Sequence, residues 1–164
     1  MYIRTANTAD IEEAVWVENL IFPGDIAAAR AMITERIEAY PEHFWLLIDE
    51  ADGGEKLIGM IDGMVTDLPD LEDRMFDYPE MHDENGAWQM IFGLEILPEY
   101  RRQGCAAMLL SHVEDAARNQ GRKGLVLTCE EHLVHYYEKS GFVNEGISSS
   151  GLLEKTWYQM RKSF

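Results

Sequence analysis

Leu94-Glu95-Ile96-Leu97-Pro98-Glu99-Tyr100-Arg101-Arg102-Gln103-Gly104-Cys105-Ala106 is the stretch that decides the fold. A β-prone run from Met90 to Leu97 stops at Pro98 and turns through Glu99-Tyr100. It then enters Arg101-x-x-Gly104-x-Ala106, and Met108, Leu109, Val113 and Ala116 follow at helical spacing. A strand is therefore expected to feed, through a small-residue turn, into a helix running from Gly104 to about Asn119. The first N–H groups of a helix lack intrahelical acceptors and carry partial positive charge, which suits them to phosphates. Gly104 and Ala106 lack the bulk that would hold a pyrophosphate away from the backbone. A phosphate cradle is one reading of this turn. Close packing of the helix on the sheet is the other, since small residues serve both.

The whole string, apolar-x-apolar-x-Pro-x-x-Arg-x-x-Gly-x-Ala, resembles the acetyl-CoA motif of the GCN5-related N-acetyltransferases. Tyr136-Tyr137-Glu138-Lys139-Ser140-Gly141-Phe142 follows in the order and at the distance of that family's second signature, Leu-Tyr-x-Lys-x-Gly-Phe. The resemblance covers residues 88–144 closely and the rest more loosely. It implies an α/β fold: one N-acetyltransferase domain over residues 1–164, with a mixed, twisted sheet, splayed central strands and about four flanking helices. Acetyl-CoA would be the cosubstrate. Leu94 and Ile96 match the positions whose backbone pairs with the pantetheine arm. Arg102, Gln103, Gly104, Cys105, Ala106 and Ala107 match those that surround the pyrophosphate. Tyr137 matches the tyrosine near the thioester sulfur, where a phenol can protonate the departing thiolate. Tyr136 is then expected on the core side, because adjacent helical residues point about 100° apart.

The stretch Leu127 to Phe142 also resembles the corresponding segment of the arylalkylamine (serotonin-type) N-acetyltransferases. Their signature strand carries a His-x-His proton relay, and the matching positions here are Met90 and Phe92. The relay is absent, so another group must accept the amine's proton. Glu130, at the end of the strand Leu125 to Cys129, is the first candidate. Glu18, continuing the apolar stripe of Ile11, Ala14 and Val15, is the second, and His82 the third.

Charge is unevenly spread. The net charge is −16; residues 1–100 hold 5 Lys/Arg against 23 Asp/Glu, and residues 101–164 hold 9 against 7. This argues against nucleic acid or anionic membranes as partners. It fits an anionic cofactor beside the second half and a cationic acceptor steered by the first; solubility alone would explain it too. No apolar stretch reaches membrane-spanning length, and Met1-Tyr-Ile-Arg-Thr-Ala-Asn lacks the apolar core of a signal peptide, so a cytoplasmic setting is the expectation. Cys105 and Cys129 read as reduced thiols in apolar elements, and no Cys/His cluster has metal-ligand spacing.

Elsewhere the pattern predicts a strand at Tyr2 to Arg4, helices from Thr8, as the cap, to about Phe22 and from Ile26 to Tyr40, and strands at 44–48 and 57–65 joined through Asp52-Gly53-Gly54. Residues 66–87 form a long connection with eight acids and only Arg74 against them; its aromatics favour an ordered lid over disorder. A helix from about His132 to Ser140, a mobile Gly/Ser-rich 146–151 and a last strand at 156–160 complete the chain. The function expected is acetyl transfer to a small cationic primary amine by direct attack on the thioester. A non-catalytic acyl-CoA sensor is the alternative. The family resemblance also admits a homodimer.

Overall fold

A computed structural model describes residues 1–164, the side chain of Asp52 excepted. In chain order the elements are β1 (Tyr2–Thr5), α1 (Ile11–Ile21), α2 (Ile26–Ala39), β2 (Phe44–Asp49), β3 (Lys56–Asp62), β4 (Val65–Thr66), α3 (Arg74–Asp77), β5 (Trp88–Ile91), β6 (Gly93–Ile96), α4 (Cys105–Asn119), β7 (Gly124–Cys129), α5 (Glu131–Lys139), β8 (Val143–Ile147) and β9 (Tyr158–Ser163). The α/β class expected from the sequence is what forms, with a mixed arrangement of strands. Hydrogen bonding distributes those strands over two sheets. The chain contacts define two compact units, Met1–Asp62 with Gly93–His112, and Gly63–Phe92 with Val113–Phe164.

The first unit holds the antiparallel order β1-β2-β3-β6. Phe44 to Ile48 is buried throughout, as its unbroken apolar run demands, and Ala14, Val15 and Val17 of α1 and Ile33 and Ile37 of α2 are buried with it. The register of β2 on β3 shifts at Leu47/Ile48, leaving a bulge. Two partners satisfy the backbone freed there: Leu57 N–H donates to Glu13 Oε1 (3.0 Å), and Leu97 N–H donates to the Ile58 carbonyl (2.9 Å). Asn7, not Thr8, caps the 3-10 turn Thr8–Asp10 that leads into α1. Its side chain accepts from Ala9 N–H, while Asp10 reaches back to Asn7 N–H in a capping box. Asp10 also takes a two-pronged bond from Arg4 at 2.8 and 2.7 Å, which the sequence pattern does not disclose.

The second unit holds the order β4-β5-β7-β9-β8, in which β5 and β7 run parallel and the other pairs antiparallel. Met64, Val65, Met75, Met90, Leu125, Val126, Val113 and Met160 form its core. The long acidic connection takes defined turns within this unit. Asp70 pairs with Arg161 (2.8 Å), Asp73 accepts from Ser150 Oγ (2.6 Å) and Gly151 N–H (3.0 Å), and the Arg122 guanidinium donates to the carbonyls of Glu84 (2.7 Å) and Gly86 (2.8 Å). The segment expected to be mobile lies partly in β8, a strand the Gly/Ser-rich reading missed, because its exposed residues show no clean alternation. The last strand runs later than expected, to Ser163.

Both long β runs foreseen from the sequence, 57–65 and 90–97, are interrupted, at Gly63-Met64 and at Phe92. Inside the second unit the reason is visible. The backbone of Gly63 lies so close to that of Met90 that a Cβ on Gly63 would stand 1.9 Å from the Met90 carbonyl oxygen. The carbonyls released where the ladder stops are taken by the buried Gln89 amide, which donates to Gly63 O and Met90 O at 2.8 Å each. Gly63→Ala is therefore expected to destabilise the protein by about 3 kcal/mol or more, read as a lowered urea midpoint. A midpoint equal to wild type would show that this close approach is not required.

Candidate active site

Within the first unit, β6 is the end strand of its sheet, paired only to β3 through Gly59↔Ile96, Met60↔Glu95, Ile61↔Leu94 and Asp62↔Gly93. Its other backbone edge, at Leu94 and Ile96, has no partner strand in that sheet. The chain leaves β6 through a turn at Pro98–Tyr100 and reaches α4 at Cys105. Arg102 (φ 60°) and Gly104 (φ 82°) are both left-handed, the backbone geometry with which concave nests of N–H groups are built. A side chain at Gly104 would meet open space, so close packing does not require the glycine there; the positive φ does. The first backbone bond of α4 runs from Met108 N–H to the Gly104 carbonyl (3.0 Å), so the amides before it lie outside the helical ladder.

Side chains around this turn fall into two roles. Arg101 Nε donates to the Ile96 carbonyl (3.2 Å) and Gln103 Nε2 to the Glu99 carbonyl (2.9 Å), so both brace the loop. Arg102, Gln103 and Gly104 are exposed, Ala107 is exposed, and Cys105 is buried. Arg102 makes no ion pair among the described residues, which leaves its cation available to an anion on the loop. The residues matched to the cofactor, Leu94 to Ala107, thus form one continuous strand–turn–helix piece of the first unit.

Behind β6 lies a cluster that the sequence reading did not single out. Glu95 points to the side of β6 opposite Ile96, whose side chain approaches Gly59 alongside Leu109 of α4. Glu95 is 7% exposed and its Oε2 has no hydrogen-bond partner. Burial foremost, then a hydrogen bond to Glu18 of α1 and the charges of Glu18 and Asp62, pushes its pKa up to about 10, with Arg36 opposing. Asp62 of β3 is also buried and its pKa raised, chiefly by burial, although Arg36 Nη1 lies 3.2 Å from its Oδ2. Tyr40, at the C-cap of α2, lies near Asp62, its phenol raised by burial and by Asp62. Glu18 itself is half-exposed. The available signal was a lone acid inside each of two apolar runs, Asp62 in 57–65 and Glu95 in 90–97, on strands that pair.

The second unit carries the other candidates. Tyr137 of α5 is buried, in edge contact with Phe142 (centroids 5.7 Å apart) and Tyr136 (5.2 Å). Its hydroxyl makes no hydrogen bond to another described residue, and burial with the nearby Cys129 raises its pKa. Tyr136 is 38% exposed, so the core-side assignment is reversed: α5 buries Tyr137 alone, on the face that meets Phe142. Burial pushes the Cys129 thiol up to about 11, so it is held as the thiol at neutral pH. Glu130 sits at the N-cap of α5 with Lys155 Nζ 3.4 Å from its Oε1, an ion pair that any proton acceptance there must displace. His82 accepts from Val65 N–H through Nδ1 (3.0 Å) and meets Glu84 at Nε2 (2.8 Å), so both ring nitrogens are engaged.

Residues 9–142 match the Acetyltransferase (GNAT) family, and the chain belongs to it. Solved structures share its fold at low identity. The GphF GNAT-like decarboxylase in complex with isobutyryl-CoA superposes with a TM-score of 0.83 at 21% identity, over 99% of each chain. The loading GNATL domain of CurA from Lyngbya majuscula gives 0.80 at 17%, over 99% of this chain and 96% of that one. An aminoglycoside 6′-N-acetyltransferase complexed with coenzyme A gives 0.71 at 16%, over 99% and 97%. Comparison with curated proteins returns no match. Among the described residues no helix is long and apolar enough to cross a membrane.

The raised Glu95 pKa has a consequence for stability. Between the ordinary carboxyl value of 4.5 and about 10 the folded chain keeps a proton that the unfolded chain releases. This contribution is fully favourable below 4.5 and is lost as pH rises toward 10. Glu95→Gln is expected to raise the melting temperature at pH 8 by about 4 °C, with the gain shrinking toward pH 5. A constant offset at all pH values would contradict the buried, protonated carboxyl.

Proposed function

We propose that this protein transfers an acetyl group from acetyl-CoA to a small cationic primary amine. The observation that carries the reading is the left-handed turn at Arg102 and Gly104 leading into α4, in a chain of the acetyltransferase family. The backbone N–H groups of residues 102–107 and the Arg102 cation would hold the pyrophosphate, and the free edge of β6 at Leu94 and Ile96 would pair with the amides of the pantetheine arm. Two of the similar structures named above contain CoA or an acyl-CoA, which supports this cosubstrate.

In the reaction the amine nitrogen attacks the thioester carbon, a C–N bond forms, the C–S bond breaks, and the CoA thiolate takes a proton. Tyr137 is the proton donor by motif match, and its buried, unengaged phenol supports the role: a hydroxyl held neutral beside a developing thiolate is a suitable acid. An alkylamine arrives protonated, so a second group must remove its proton. The acidity of residues 1–100 favours a cationic acceptor over a neutral or anionic one. Cytoplasmic location and a homodimer are part of the same reading.

The test is release of CoA thiol from acetyl-CoA by the purified protein with polyamines, arylalkylamines, amino acids and aminoglycosides. Amine-dependent release is expected, with cationic acceptors preferred. Gly104→Val should raise the acetyl-CoA KM about tenfold or more, since it adds bulk at a positive-φ position in the cradle. Tyr137→Phe should lower kcat about a hundredfold while acetyl-CoA binding persists. Indifference to Tyr137→Phe, with acetyl-CoA bound but no amine consumed, would instead identify a sensor. Loss of carbon dioxide from a carboxylated acyl-CoA, without amine, would identify a decarboxylase, the activity named for one similar structure.

A further inference from the structure

The C-terminal end of α5 is a Schellman cap built around Tyr137. Phe142 N–H donates to the Tyr137 carbonyl (3.1 Å) and Gly141 N–H to the Glu138 carbonyl (3.0 Å), with Gly141 left-handed at φ 92°. The apolar contact that accompanies such a cap joins the same two residues, since the Phe142 ring meets the Tyr137 ring edge-on. Tyr137 is therefore held twice, by its carbonyl and by its ring, in the turn that ends its own helix. Its hydroxyl makes no hydrogen bond to another described residue, so the aim of the phenol depends on how that turn is held.

One charged side chain braces it. Lys162 lies in β9, where it pairs with Leu125 of β7. Its ammonium donates to the carbonyl of Ser140, the C-cap residue of α5 (2.8 Å). The same Nζ stands 2.6 Å from Glu114 Oε2 of α4. The lysine stem runs close across Gly141: a Cβ there would stand 3.0 Å from Lys162 Cε and 3.2 Å from Nζ. A cation suits a helix C-terminus, but an exposed lysine there is mobile and contributes little. Here the two side chains of the ion pair are only 21% and 20% exposed, so the ammonium is held in place. Through one nitrogen, Lys162 ties the end of α5 to β9 and to α4.

We propose that Lys162, braced by Glu114, is the positioning residue for the Tyr137 phenol, which it fixes through the cap of α5 without touching substrate or cofactor. This rests on the transferase reading above, in which Tyr137 protonates the departing thiolate. Proton donation requires the phenol oxygen within hydrogen-bond reach of the sulfur, and a misplacement of about 1 Å can cost about a hundredfold in rate. Without the ammonium, the Ser140 carbonyl loses its donor and the turn through Gly141 loses its tie to β9 and α4. Phe142 then moves with the turn, and the Tyr137 ring packed on it follows. The motif at Tyr137 to Phe142 contains the cap, whereas the brace comes from the last strand of the chain.

The experiment is a double-mutant cycle on the whole chain, with acetyl-CoA and with spermidine and phenethylamine as acceptors. Lys162→Met keeps the stem across Gly141 and removes the donor, and Arg118 still pairs with Glu114 at 3.0 Å, so the carboxylate keeps a partner. This variant is expected to lower kcat about tenfold, with the acetyl-CoA KM within about twofold of wild type. In a Tyr137→Phe background the same substitution is expected to change kcat by less than about twofold, because a residue acting through the Tyr137 hydroxyl has nothing left to position. Lys162→Arg, which restores a cation and its donors, should recover most of the loss. Glu114→Gln weakens the brace from its other end and should show a smaller loss with the same dependence on Tyr137. It carries the test if thermal melts show that Lys162→Met does not fold. A second reading needs no turnover: the fluorine resonance of 3-fluorotyrosine placed at position 137 should shift or broaden in Lys162→Met. Equal losses of kcat in the two backgrounds, or an unchanged fluorine resonance, overturns the proposal and leaves Lys162 a structural role alone. Absence of amine-dependent CoA release in wild type overturns the transferase reading instead, and the fluorine spectra then still decide whether Lys162 fixes Tyr137.

Discussion

Backbone polarity at the interruption of two β runs is the constraint on which the arrangement depends. Strands as apolar as 57–65 and 90–97 would continue as ladders if nothing stopped them. Gly63 brings its backbone against that of Met90 at a distance no side chain tolerates, and the carbonyls freed there need donors in a dry interior. A single amide, Gln89 Nε2, supplies them. One consequence is that β6 starts afresh at Gly93 and ends its sheet with an edge at Leu94 and Ile96 that no strand of that sheet covers. An edge strand is usually a liability. Here it is short, and it leads directly into the turn that presents the first amides of α4.

The same short strand separates two kinds of chemistry by alternation. Ile96 faces Gly59 and Leu109, an apolar contact that fixes the start of α4 against the sheet. Glu95 faces Glu18 of α1, Arg36 of α2 and Asp62 of β3. Burying two carboxyls beside one guanidinium is costly, and the cost appears as the raised proton affinities of Glu95 and Asp62. A hydrophobic residue at position 95 would be the cheaper solution for stability alone. The cluster therefore weakens the fold as pH rises.

How far the sequence disclosed this differs by element. The strand–turn–helix at 94–107 was legible because Pro98, Gly104 and the helical spacing after it are local signals, and local signals survive folding. The ends of α2 and β7 were legible for the same reason. The breaks at Gly63 and Phe92 were not, because they depend on the approach of two segments far apart in sequence. Strand β8 was hidden by exposed Val143 and Ile147 interleaved with polar residues and Gly146, a composition that reads as loop until β9 pairs with it. Asn7 displaced Thr8 as the cap because Asp10 completes the box with it.

The candidate proton acceptors show why position along an element is a weaker guide than surroundings. Glu130 stands at the end of a strand that sequence reasoning favours, yet Lys155 neutralises it at 3.4 Å. His82 carries the right side chain, yet the Val65 amide and Glu84 hold both its nitrogens. Glu18 was visible as an acid on an apolar stripe, but its significance depends on a partner, Glu95, that lies 77 residues away and meets it only through the packing of α1 on β6. A carboxyl gains proton affinity when water is excluded and other carboxyls lie beside it. In this chain the described surroundings give Glu95 that environment, whereas Glu130 and His82 are engaged by other partners.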